Sequence, residues 1–215
     1  MTQSANKTRV RLSAAALVIA GILFVLYPAI RPFSDEISLQ GAAAFASTEW
    51  LVAHLLAVVA FTLLPVGLLG LHNSMQHTPA ERPGYWAVVL SWIGVASTLP
   101  FYGEEAYGLH VLGQEAIRQQ SAALLTLVHV IRSGAGAVIF LVGFLLLGIA
   151  AVLAAVAIWR SGTYSKWSGI LLAVGVGLYI PQFFWTQPLR VAHGVLVAIG
   201  CLWIAVGLWS QNKQK

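Results

Sequence analysis

Six uncharged apolar runs, each close to twenty residues long, constrain this chain more than any motif in it. They cover Leu12–Ile30, Trp50–Leu71, Trp86–Tyr102, Gly136–Trp159, Trp167–Trp185 and Val191–Trp209. An α-helix crosses the hydrocarbon core of a bilayer in about 20 apolar residues. Inside lipid, only helices and closed barrels satisfy their own backbone polar groups. Barrel strands alternate apolar and polar positions over about 10 residues, and these runs do not alternate. The sequence therefore predicts an all-α integral membrane protein. It forms a single polytopic domain over 1–215, built as a six-transmembrane-helix bundle.

Composition removes the alternatives. Of 215 residues, 59% are hydrophobic and 9% charged, against about 25% charged in a soluble domain. A free-standing soluble enzyme is excluded. So is a nucleic-acid-binding surface, because the charge is too sparse. The expected partner is the lipid bilayer. One cysteine, Cys201, permits no disulfide framework and reads as core.

Lys7, Arg9 and Arg11 precede the first run, and Ala44-Phe45-Ala46 resembles a cleavage site. The run is too long for a signal peptide and that site lies far beyond it, so the segment is read as a retained anchor. With the N-terminus cytoplasmic, the inner segments hold Lys7, Arg9, Arg11, Arg82, Arg160, Lys166, Lys213 and Lys215, which is eight of the twelve Lys and Arg. The outer segments hold Arg31, Arg118, Arg132 and Arg190. Of the acids, Glu81 alone is inside; Asp35, Glu36, Glu49, Glu104, Glu105 and Glu115 are outside. Lys and Arg favour the cytoplasmic face, so the expectation is a cell-membrane protein with both termini cytoplasmic. Tyr27, Trp50, Trp86, Tyr102, Trp159, Trp167, Trp185 and Trp209 fall at run ends and read as interfacial belts.

The runs pair into three helical hairpins. A proline marks the outer end of each outward run, at Pro28, Pro100 and Pro181, and a histidine follows near the start of each return: His54, His129 and His193. From Ser121 to Trp159 nothing clearly breaks the apolar pattern, which is about 60 Å of helix at 1.5 Å per residue. Gly134 and Gly136 are the expected bend. The residues 104–134 then form an outer-face helical excursion.

Polar side chains gather in this outer layer, and ionisable groups at membrane depth are functional candidates. His129 with Arg132, and Arg190 with His193, each lie three apart, which places each pair on one helix face. Two imidazoles with two guanidiniums suit haem b, the imidazoles as axial ligands and the cations on the propionates. On this reading His129 and His193 are the axial ligands, His54 is the reserve, and Arg132 and Arg190 bind the propionates. The chemistry is then that of an oxidoreductase near the outer leaflet, with a quinone or other redox partner. The alternative is a metal-dependent membrane enzyme. His54, His129 and His193 would hold a zinc or iron ion, and Glu104 or Glu105 would act as fourth ligand or catalytic base. Further alternatives are a scaffold, a lipid-binding protein or a transporter. Transport is the least favoured, because the inner half of the bundle lacks polar lining. No Gly-rich phosphate loop or nucleotide fingerprint is present.

Overall fold

The computed structural model describes residues 3–214, with side chains over 7–211. Lys215 and the side chain of Lys213, both counted above as inner cations, lie outside the described residues. Helices joined by short loops make up the described residues, without strands. Helix α1 spans Gln3–Ile30, α2 Leu39–Ala46 and α3 Thr48–Ser74. Helix α4, Glu81–Gly103, runs through a π turn at Glu104–Gly108 into α5, Leu109–Arg118. A 3-10 turn at Ala122–Leu125 leads to α6, Thr126–Ile131, and α7, Gly134–Ser161. Then come α8, Lys166–Gly177, α9, Tyr179–Gln182, and α10, Gln187–Gln214.

Five helical stretches are long and apolar enough to cross a membrane: Lys7–Ile30, Thr48–Ser74, Glu81–Arg118, Gly134–Ser161 and Gln187–Gln211. The continuous helix expected over Trp167–Trp185 does not form. Its residues divide into α8, 12 residues long, and the single turn α9. The cause is local. Pro181 has no N–H to offer the carbonyl four residues back, at Gly177, and Gly175 and Gly177 weaken the last turn of α8. The residues 104–134 begin as an unbroken continuation of α4. Gly134 does make the expected bend, with φ at +73°.

The six long elements close into a ring. α1 packs on α3, α3 on α4, α4 on α7, α7 on α8, α8 on α10, and α10 back on α1. The sequence neighbours α1/α3, α4/α7 and α8/α10 are in contact, as are α7/α8 and α10/α1, so packing does not single out three hairpins. An aromatic column fills the centre: Phe24 meets Phe61 at 5.1 Å, Phe61 meets Tyr179 at 5.0 Å, and Tyr179 stacks on Phe144 at 4.9 Å. Such edge-to-face and stacked pairs add about 0.5–1.5 kcal/mol each beyond their area.

Small residues set the helix spacing. A Cβ on Gly194 of α10 would lie 2.3 Å from the Phe24 carbonyl oxygen of α1. Alanine favours a helix over glycine by about 1 kcal/mol, but backbone cannot move aside as a side-chain tip can. The clash decides the sign. Gly194→Ala is expected to destabilise by about 1–3 kcal/mol, read as a lower thermal midpoint. Gly148→Ala is the control, expected to be neutral or stabilising, since its Cβ would meet nothing closer than 3.9 Å.

At one end of the ring, α2, α5, the 3-10 turn and α6 form a cap. Its own apolar cluster includes Phe45, Trp50, Leu109, Ala116, Leu125 and Val128. α2 starts on Ser38, whose hydroxyl accepts from the Gln40 N–H. The belt aromatics divide by end. Trp86, Trp159, Trp167 and Trp209, at the end opposite the cap, are exposed. At the cap end Tyr27, Trp50 and Tyr102 are buried, so the belt expected there is turned inward.

Candidate functional site

Beneath the cap, the helix ends enclose a cavity of about 540 Å³. α1 and the loop after it contribute Tyr27, Arg31, Phe33, Ser34 and Glu36. α3 contributes His54, α4 Phe101 and Tyr102, and the π turn Glu105. Arg132 and Phe140 come from the start of α7 and the turn before it. The α9–α10 segment adds Phe183, Phe184 and Arg190.

The wide π turn is what aims Glu105. The Leu109 N–H closes back on the Glu104 carbonyl, five residues earlier. One extra residue in the turn rotates the chain, so Glu104 stays exposed and Glu105 is buried. π turns recur at functional sites for this reason. The indole N–H of Trp50 donates to the Glu105 carbonyl at 2.7 Å and holds the turn.

A chain of ion pairs crosses the cavity mouth. Arg31 Nη2 is 3.0 Å from Glu36 Oε1, and Glu36 Oε2 is 2.5 Å from Arg132 Nη1. Arg132 grips Glu105 with two bonds, Nε to Oε1 at 2.5 Å and Nη2 to Oε2 at 2.9 Å. Such bidentate pairs fix geometry as well as charge. His54 Nε2 then lies 3.8 Å from Glu105 Oε2. His54 Nδ1 is 2.7 Å from the Trp50 carbonyl. A carbonyl only accepts, so Nδ1 carries a proton, and in the neutral ring Nε2 would be the acceptor.

Glu36 sits at φ +58°, a left-handed backbone that costs a non-glycine residue about 1 kcal/mol or more. Two guanidiniums hold it there. Gly41 makes room, since a Cβ at that position would lie 2.7 Å from the Glu36 Cα. Burial alone would raise the Glu36 carboxyl, but Arg132 and then Arg31 outweigh it and hold it below its ordinary value. Burial works against the Arg132 guanidinium, yet Glu105 and Glu36 raise its pKa, so it stays charged. Nearby Asp35 is lowered by the Ser38 hydroxyl and by the N–H groups of Ile37 and Ser38.

The sign of the pH dependence follows. A depressed carboxylate contributes its full stability above its ordinary value, near 4.5 for Glu36, and loses it as pH falls through the lowered folded value. The protection factors of the amides over residues 31–38 are therefore expected to be flat from pH 8 to pH 5 and to fall below the ordinary carboxylate range. Asp35 moves in the same direction, so Glu36→Gln removes part of the step, not all of it. An unchanged profile in that variant would contradict the account.

The structure divides the residues expected at the site. His54, Glu105, Arg132 and Arg190 meet in this cavity. His129 does not. It is exposed on α6 and lines a neighbouring groove of about 380 Å³, which shares Glu36 and Arg132 with the cavity. His193 is buried elsewhere, with Nε2 2.6 Å from the Gly175 carbonyl and its ring against Tyr179 and Trp185. It pins α10 to α8. Glu104 is exposed and off the cavity wall. The axial pair His129 and His193 is thus not brought together. Among the described residues, no three His, Cys, Asp or Glu side chains form a group able to hold a metal ion.

Several site residues were missed in the sequence. Arg31 and Glu36 read as outer-loop charges, and Tyr27 and Tyr102 as belt aromatics. Tyr102 is 2% exposed, with its hydroxyl beside those of Tyr27 and Tyr179. The Ser34 hydroxyl is buried without a partner among the described residues. The spacing of Arg31 and Glu36 within one short loop was the available signal for their pairing.

Comparison with protein-family models, with curated proteins and with solved structures finds no match to this chain. The reading of the site rests on its own geometry.

Proposed function

We propose that this is a six-span membrane protein whose cap faces outside, and that the cavity under the cap binds a small amphipathic molecule drawn from the outer leaflet. The broken unit α8–α9 makes the sixth crossing. The Lys and Arg excess at the opposite end supports a cytoplasmic location for both termini.

The observation that carries the ligand reading is the cavity's two-sided wall. One side is aromatic: Phe101, Phe140, Phe183 and Phe184. The other is the chain of arginines and carboxylates, with His54 and Tyr102 as further polar groups. A volume of about 540 Å³ falls within the roughly 300–1,000 Å³ of small-molecule sites. Phe184 stands 87% exposed at the wall, an apolar side chain that lipid, not water, would tolerate.

One observation favours a second reading. The Nε2 of a neutral His54 is a competent ligand for haem iron or for a zinc or iron ion, with Arg132 and Arg190 able to meet propionates. Glu105 would then be the nearby carboxylate. A single experiment separates the two readings. The protein is purified in mild detergent, its visible spectrum recorded oxidised and reduced, its metal content measured, and its bound small molecules extracted and weighed. A colourless sample with about one extractable amphiphile per chain is the expected result. A Soret band or stoichiometric metal, without an amphiphile, would overturn the preferred reading in favour of the second.

A further inference from the structure

We infer that the molecule bound under the cap is an anionic amphiphile, a single apolar chain with a phosphate or carboxylate head, and that Arg190 is its counter-ion. The inference rests on the cavity reading above and adds the chemistry of the head.

Charge is the first argument. Three guanidiniums line the cavity against two carboxylates. Glu36 is shared by Arg31 and Arg132, and Glu105 is taken up by Arg132. Arg190 has no carboxylate partner. Its Nε donates to the Trp185 carbonyl at 2.9 Å and its Nη2 to the Phe183 carbonyl. Those two bonds fix the guanidinium and leave Nη1 for a ligand. A fixed planar fork is what oxyanion recognition uses.

Crowding is the second. The Cζ atoms of Arg31 and Arg190 lie 4.6 and 4.8 Å from the centroid of the same Phe33 ring. Two like charges gathered on one ring repel, and Glu36 compensates only one of them. An anion between them turns that repulsion into attraction.

An unmet donor is the third. The buried Ser34 hydroxyl on the cavity wall has no hydrogen-bond partner among the described residues. A buried polar group left unpaired costs about 1–3 kcal/mol. A phosphate or carboxylate offers several acceptor lone pairs and satisfies it. The aromatic side of the wall then takes the chain.

A matched set of probes tests this: dodecyl phosphate, dodecanol, and inorganic phosphate alone, each titrated into the full-length protein in phosphatidylcholine nanodiscs. Dodecyl phosphate is expected to bind about tenfold or more tighter than dodecanol, the effect of one charge-assisted hydrogen-bonded contact. Arg190→Gln should abolish that preference, and Arg190→Lys should restore part of it. The preference in the unmodified protein is itself a test that needs no variant to fold. Equal binding of the two alkyl probes overturns the inference and leaves the cavity reading standing. Binding of neither overturns the cavity reading as well. Inorganic phosphate binding as tightly as dodecyl phosphate would mark a free-anion site and overturn the amphiphile.

Discussion

Arg132→Met is expected to lower the thermal midpoint of the purified protein by about 4–12 °C. Arg132 holds two carboxylates at once, Glu36 and Glu105. Removing one partner of a buried pair costs about 3–5 kcal/mol, because the other charge is stranded. Arg132 and Glu36 are each 27% exposed and Glu105 11%. Water therefore screens part of the loss, and about 2–3 kcal/mol remains. Adding Glu105→Gln to Arg132→Met should recover part of it, because the stranded charge is gone. A double-mutant cycle measures that coupling. Arg132→Lys should fall between, since it keeps the charge but loses the bidentate fork. A midpoint that moves by less than 2 °C in Arg132→Met would mean the network is solvated and does not hold the cap.

Trp50→Ala should have the largest effect of any single truncation. Trp50 is 1% exposed and joins the cap to the cavity. Its ring packs on Phe45 at 4.7 Å and on His54 at 4.4 Å, and Arg31 lies over it at 4.4 Å. Its N–H holds the π turn. Truncating a buried tryptophan to alanine costs about 3–5 kcal/mol. The indole's loss also frees the Glu105 backbone and unseats His54. Hydrogen exchange should quicken over residues 39–46 and 109–118 more than over the α1/α10 contact. Trp50→Phe refills most of the volume and should lose only the N–H contribution, about 1–3 kcal/mol. Uniform loosening of the whole bundle would contradict the role given to Trp50.

The helices were legible because apolar length alone reports a span. Where the continuous helix expected over Trp167–Trp185 is broken, a proline and two glycines outweighed hydropathy. Of the residues expected in one outer layer, His54, Arg132, Arg190 and Glu105 share one cavity, and His129, His193 and Glu104 do not line it. Rotation about each helix axis was not legible, because hydropathy averages over a helix that is apolar all round. His129 and Arg132 show the limit in detail. As their i, i+3 spacing implies, the two line one groove. The long Arg132 side chain reaches past it into the cavity, and His129 does not. Trp50 shows a second limit. A tryptophan at a run end reads as an interfacial anchor, and nothing before it in sequence announces the cap that buries it.

The most direct test of the central claim is photolabelling. A diazirine-bearing alkyl phosphate is incubated with the protein in nanodiscs and irradiated, and the labelled residues are mapped by mass spectrometry. The account predicts label on Phe101, Tyr102, Phe140 and Phe183, competed away by unlabelled dodecyl phosphate. Label confined to the exposed face of α7, at Val138, Ile139, Val142 and Leu145, and insensitive to competitor would show ordinary lipid contact and contradict it.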